Sequence, residues 1–172
     1  MPVKGLKFEV KEMVGDAGEF VGLASTFGNV DAGGDLVEHG AFTKTLADKG
    51  GEVPILWAHD AAAIVGIGRL RETQQGLEIH GQLVLDSNDI AKRAYALLKA
   101  GAVKGLSVGY DVTRSLVKDG IRHLKELKLY EVSLTAFPMN ELATVTAVKT
   151  ADHSGALRAI KELRALVKKG MR

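Results

Sequence analysis

Alternation of apolar and polar positions dominates the first half of the chain. In residues 6–14, Leu6, Phe8 and Val10 alternate with Lys7, Glu9 and Lys11, and residues 19–27 follow after the turn-prone Gly15-Asp16-Ala17-Gly18. A period of two predicts strands, and the short turn predicts that they pair antiparallel. Residues 28–40, GNVDAGGDLVEHG, break the alternation with Gly, Asn and Asp and read as a polar loop, either at a functional edge or as a plain surface connection. Residues 41–49 predict a short helix with Phe42 and Leu46 inward, stopped by Gly50 and Gly51. Residues 54–60, PILWAHD, read as a buried strand with Ile55, Trp57 and His59 on one face. Residues 64–72 and 77–85 predict a hairpin through Thr73-Gln74-Gln75-Gly76, with His80 on its polar side.

The spacing then changes. Asp86-Ser87-Asn88-Asp89 offers N-cap residues, and Ile90, Ala94, Leu97 and Leu98 recur at helical intervals until Gly101. Residues 106–112 and 121–135 are extended, with Lys118-Asp119-Gly120 turning between them, and Phe137-Pro138-Met139-Asn140 ends that run. A short strand is expected over residues 143–148. Residues 154–169 predict a last helix, with Leu157, Ile160, Leu163 and Leu166 as its apolar stripe and Arg158, Lys161, Arg164 and Lys168 opposite. That basic face suits a packed helix with a solvated side, or a docking segment for an acidic partner. About seven or more short strands with two or three helices predict an α+β, mainly antiparallel β fold, a closed or nearly closed β-barrel flanked by helices. Residues 1–150 would form the barrel domain, and residues 151–172 a terminal helix packed on it or appended to it.

Composition narrows the classes. The chain has 172 residues and a net charge of +2, which suits one domain and gives no electrostatic footprint for nucleic acid or an anionic membrane. It has no cysteine, so disulfide frameworks, thiol nucleophiles and thiolate metal sites are excluded. No apolar run has the length of a membrane span, and MPVKGLKFEVKEMV lacks the apolar core of a signal peptide, so the expected location is the cytoplasm.

Candidate chemistry centres on Gly105-Leu106-Ser107-Val108-Gly109. The letters match the G-x-S-x-G elbow of α/β-hydrolases, but that elbow runs strand, turn, helix, and here a helix precedes Ser107 and extended sequence follows. On these letters alone a serine between glycines is usually a turn residue, and Ser107 is also a candidate nucleophile. His59 is a candidate base or a strand-end histidine bonded to a carbonyl. Alternation places Glu131 on the face of Leu127 and Leu129, where a carboxylate needs a partner, functional or structural. Ser133 shares that face and would hydrogen-bond beneath a site. The histidines His39, His59, His80, His123 and His153 are scattered without metal-ligand spacing, residues 31–35 do not fit an EF-hand, and no phosphate-cradling loop occurs. No metal or cofactor is expected.

The segments FVGLASTFGNVDAGGDLVEHGAF, PILWAHD, IGRL, AYALLKAGAVKGLSVGY and LYEVSLTAFPMN, in this order, closely resemble the prohead (capsid maturation) serine proteases of tailed bacteriophages. The resemblance runs from about Phe20 to about Val148. It implies a fold similar to the herpesvirus assembly proteases and a serine endopeptidase that cleaves capsid or scaffold protein inside an assembling prohead in the bacterial host. The family's serine matches Ser107 in GLSVGY and its histidine matches His59 in WAHD. The herpesvirus enzymes use a second histidine as third member, whereas the matching LYEVSL offers Glu131, with His80 and His123 as fallbacks. The partners implied are the major capsid protein or scaffold as substrate, and the herpesvirus likeness allows a homo-oligomer. A scaffolding component with little proteolysis, binding capsid protein through the terminal helix, is the alternative from another class; a small-ester hydrolase is a weaker one.

Overall fold

The computed structural model of the protein describes residues 11–14 and 18–150, with side chains over 18–149. The expected terminal helix, and with it the proposed division at residue 150, lies outside the described residues, as do most of the first expected strand and its turn. The elements are β1 (Lys11–Val14), β2 (Glu19–Thr26), β3 (Asp35–Val37), α1 (Thr43–Lys49), β4 (Glu52–Trp57), β5 (Asp60–Glu72), β6 (Gly76–Leu83), α2 (Asp89–Lys99), β7 (Gly105–Lys118), β8 (Ile121–Thr135) and β9 (Val145–Thr150).

Local chemistry accounts for the best-defined elements. Asn88 caps α2 by accepting from the Ala91 N–H at 3.0 Å, while Ala91, Ala94 and Leu98 form its buried stripe. α1 ends at Gly50 in the left-handed conformation, as expected for a glycine stop, and Phe42 is buried beside it. Asp119 and Gly120, both with positive φ, make the two-residue turn joining β7 to β8, the arrangement that Asp-Gly favours in hairpins. The β5–β6 hairpin closes at Thr73, whose N–H donates to the Gly76 carbonyl at 2.8 Å.

The strands form one curled sheet in the order β1-β9-β2-β6-β5-β4-β8-β3, with β7 also paired to β8. It makes a half-barrel of seven strands. Its gap is bridged where β7 begins: the Leu106 N–H donates to the Ala143 carbonyl at 2.9 Å, and the Val145 N–H to the Lys104 carbonyl at 2.8 Å. Phe20, Ile55, Val65, Leu77, Ile79, Leu106, Val132 and Leu134 are among the side chains that fill the interior, and α2 adds Leu98. α1 docks against β8, whose Leu127 N–H donates to the Ala41 carbonyl at 2.9 Å and whose Leu129 N–H donates to Thr45 Oγ1 at 3.1 Å.

Several details depart from sequence expectation. β1 does not pair with β2; it lies parallel to β9, which intervenes. Local alternation predicts a strand and not its neighbour, and a pairing with the far end of the chain leaves no local mark. The polar loop after β2 contains a strand, β3, running parallel to residues 122–124 of β8 and too short to alternate visibly. Most consequential, the strand expected over residues 54–60 stops at Trp57, and β5 starts at once from Asp60. His59 is therefore at the tip of a hairpin, not on a strand face.

Candidate active site

The β4–β5 hairpin turns through Ala58 and His59, with Trp57 paired to Asp60. Both turn residues have positive φ, 51° and 62°. A two-residue hairpin loop of this hand normally uses Asn-Gly or Asp-Gly, and a side chain in the left-handed region costs on the order of 1–3 kcal/mol. Two hydrogen bonds hold the turn against that cost: the Ala58 N–H donates to the Leu134 carbonyl at 3.0 Å, and the His59 N–H donates to Ser133 Oγ at 2.9 Å. Both acceptors belong to β8, which runs parallel to β4 with Leu56 beside Ser133. The strained turn thus fixes the histidine backbone against the one strand that carries Glu131.

Glu131 reaches this place through a bulge. Gly109 pairs with Glu131, yet the next residue on β7, Tyr110, pairs with Leu129, so Tyr130 is an extra residue in β8. Adjacent residues of β7 face opposite sides of the sheet, and so do their partners. Leu127 and Leu129 face the core before the bulge; Val132 and Leu134 do so after it. Glu131 and Ser133 are turned to the other side. The simple alternation that sets Glu131 among leucines is therefore corrected by one inserted residue, and its carboxylate is placed among polar groups. His59 Nδ1 lies 2.6 Å from Glu131 Oε1, and Ser133 Oγ donates to Glu131 Oε2 at 2.7 Å. The Glu131 side chain is only 10% exposed and that of His59 45%. With Nδ1–H directed at a carboxylate, the neutral imidazole carries its lone pair on Nε2.

Ser107 is buried on β7, directly opposite Ser133. Cross-strand neighbours of this kind have Cβ atoms about 4.5–5.5 Å apart. Ser107 therefore stands next to the serine that bonds both the His59 backbone and the Glu131 carboxylate. The fold brings all three sequence candidates to one place, and His59 and Glu131 are in direct hydrogen bond. No hydrogen bond joins Ser107 to either of them among the described residues; such bonds are often loose before substrate arrives. The two fallback histidines are engaged elsewhere: His80 Nε2 with Glu78 at 3.1 Å, and His123 Nδ1 with Glu38 at 3.0 Å.

Gly109 completes the arrangement. A Cβ at this position would lie 2.3 Å from Glu131 Oε1, so the carboxylate occupies the space that any side chain there would need. Sequence reasoning placed Ser133 under the site but gave Gly109 no role beyond its letter in a motif. It excluded an EF-hand over residues 31–35 and read the surrounding loop as a possible functional edge, without singling out Asp31 and Asp35, which both line a cavity that Ser107 shares. Arg122 forks onto Asp35, its Nε donating to Oδ1 at 2.7 Å. That hydrogen bond raises the guanidinium pKa further above its ordinary value. Burial, with Asp35 and Asp31 behind it, pushes the Tyr110 hydroxyl above the usual phenol range. The sequence signal for this loop was its content of Gly, Asn and Asp, which reads as a polar loop at a functional edge or as a plain surface connection. Among the described residues no group of three His, Asp or Glu side chains is poised to hold a metal ion, and no helix is long and apolar enough to cross a membrane.

Comparison with known proteins gives consistent results. The model of the caudovirus prohead serine protease family matches residues 6–156. The prohead protease of Enterobacteria phage HK97 is 32% identical over 170 residues, which covers 92% of this chain and 74% of that protein. The capsid polyprotein of Pseudomonas phage PAJU2 is 31% identical over 153 residues, 84% of this chain but 22% of the polyprotein. Among solved structures, the KSHV protease in complex with a hexapeptide phosphonate inhibitor aligns with a TM-score of 0.50 and 14% identity, over 74% of this chain and 63% of that one. The likeness to the KSHV enzyme is one of fold.

Proposed function

The chain belongs to the caudovirus prohead serine protease family and is a capsid-maturation protease; on that premise we propose that it is a serine endopeptidase in which Ser107 is the nucleophile, His59 the base and Glu131 the group that orients it. The observation that carries this reading is the 2.6 Å contact of His59 Nδ1 with Glu131 Oε1, beside a buried serine on the paired strand. Glu131 holds the imidazole in the tautomer whose Nε2 accepts a proton, and it stabilises the imidazolium that forms. Nε2 takes the proton of Ser107 Oγ as the oxygen attacks the scissile carbonyl. It returns that proton to the leaving amine, and a water then repeats the sequence to release the acyl group. Ser133 fixes both partners by bonding the second carboxylate oxygen and the His59 backbone.

The substrate we assign is capsid or scaffold protein within the assembling head, in the cytoplasm of the bacterial host. The similarity of this chain to part of a capsid polyprotein supports that assignment. Co-expression with the cognate major capsid protein tests it: processing is expected with the natural chain and absent with Ser107→Ala. Labelling by a serine-reactive phosphonate is expected to be lost in the same variant. Intact capsid processing by folded Ser107→Ala overturns the nucleophile assignment.

A further inference from the structure

A cavity of about 100 Å³ opens beside Ser107, several times the space one water requires. Leu106, Val37 and Met139 supply apolar walls, Tyr110 flanks them, and Asp31 and Asp35 provide the carboxylates. Its two loops are tied together, because the Ala32 N–H donates to the Met139 carbonyl at 2.9 Å.

The charges inside do not cancel. Asp35 is buried and bound at both oxygens by Arg122, Nε to Oδ1 at 2.7 Å and Nη2 to Oδ2 at 2.5 Å, so this pair is neutral. Asp31 is different. Its Oδ1 accepts from the Gly33 and Asp35 N–H groups at 2.8 and 2.9 Å, which fixes the carboxylate, while Oδ2 has no hydrogen-bond partner among the described residues. Tyr110 adds no charge, since burial and these same aspartates keep its hydroxyl protonated. Two carboxylates against one guanidinium leave one negative charge in a cavity whose remaining wall mixes apolar side chains with the neutral polar Ser25 and Asn140.

We propose that this cavity is the subsite for the substrate residue whose carbonyl Ser107 attacks, and that Asp31 selects a basic side chain there. The cavity accepts the alkyl stem of a lysine or arginine along Met139 and Val37, and the Asp31 carboxylate meets the cationic head. The proposal rests on the reading of Ser107 as the nucleophile. A charge-assisted hydrogen bond of this kind corresponds to roughly ten- to hundredfold discrimination against a neutral residue.

The test is to incubate the full chain with a set of synthetic peptides varied at a single position, and with a peptide mixture of many sequences, and to identify the new termini by mass spectrometry. Lysine and arginine are expected on the acyl side of the cut, at least tenfold over leucine or glutamate. In Asp31→Asn, which keeps the Oδ1 acceptor of the loop, the ratio of basic to neutral cleavage rates is expected to collapse. In Asp31→Lys it is expected to shift toward acidic residues, with melting temperatures checking that both variants fold. If the natural chain cuts without preference for a base, or folded Asp31→Asn retains that preference, the subsite assignment is wrong while the protease reading stands, provided Ser107→Ala abolishes the same cuts. If the natural chain cuts neither peptide nor capsid protein, the protease reading fails and the subsite assignment fails with it.

Discussion

His59 Nδ1 and Glu131 Oε1 meet at 2.6 Å although one residue belongs to a hairpin tip and the other to the bulged part of β8. The contact is slightly shorter than the roughly 2.7–2.9 Å usual for a charge-assisted N–H···O hydrogen bond, and Ser133 occupies the other carboxylate oxygen. Replacing Glu131 by Gln keeps the shape and removes the charge that stabilises an imidazolium. Turnover of capsid protein is expected to fall by roughly a thousandfold or more, with the protein still folded by circular dichroism. Undiminished turnover in a folded variant moves the orienting role to another residue.

Gly109→Ala tests the same contact from the opposite strand. The added Cβ would sit 2.3 Å from Glu131 Oε1, so the carboxylate must leave its position before the chain can close around it. Activity is expected to fall toward the level of Glu131→Gln, and the double variant to be little worse than either single one. That non-additivity is the signature of two changes acting through one interaction. Additive losses in the double variant sink this account of Gly109.

Ala58 carries left-handed strain on an exposed position where it packs against little. Ala58→Gly should raise stability by about 1 kcal/mol, seen as a rise of roughly 2–4 °C in melting temperature for a domain of this size. It should also slow turnover, since the freed turn holds the His59 ring less firmly. A lower melting temperature argues that the turn is not strained as its φ values imply.

Glu38 bonds Lys125 and His123 at 3.0 Å each, tying the segment after β3 to β8. The Lys125 hydrogen bond, ahead of the contribution from His123, holds its pKa below the ordinary glutamate value. A depressed carboxylate contributes stability that is fully present above its unfolded pKa and lost as pH falls through the folded one. Glu38→Gln should therefore melt below the natural chain at neutral pH, and the gap should close in acid. Melting curves at several pH values give the answer, and a gap that widens on acidification contradicts the assignment.

What the sequence made legible follows from how local each signal was. α2 with its Asn88 cap, the Asp119-Gly120 turn and the β5–β6 hairpin rest on neighbouring residues, and each is found where the pattern predicts it. The seven-stranded half-barrel agrees with the strand count and with the family resemblance. The site was legible as a set of residues and not as a geometry. Nothing in Ala58-His59 announces a hairpin loop, because that turn normally selects Asn or Gly and here tertiary bonds to β8 override the preference. The face of Glu131 was misjudged because a bulge at Tyr130 has no letter of its own. β3 and the β1–β9 pairing depend on partners distant in the chain. The acidic cavity was hidden because Arg122, the neighbour that turns Asp35 into a neutral pair, lies 87 positions away.

The parallel register of β4 and β8 also sets a schedule. Ser107 and Glu131 sit on the two arms of one hairpin, but the bond from His59 to Glu131 spans 72 positions. Contacts so remote form slowly, since the intervening chain must be gathered before they bring any gain. While the polypeptide is still emerging from the ribosome, with β8 not yet extruded, the histidine has neither its carboxylate nor the serine that anchors its backbone. For the catalytic set proposed above, competence to cut therefore arrives only once β8 has joined β4 and β7, and the delay is carried in the topology itself.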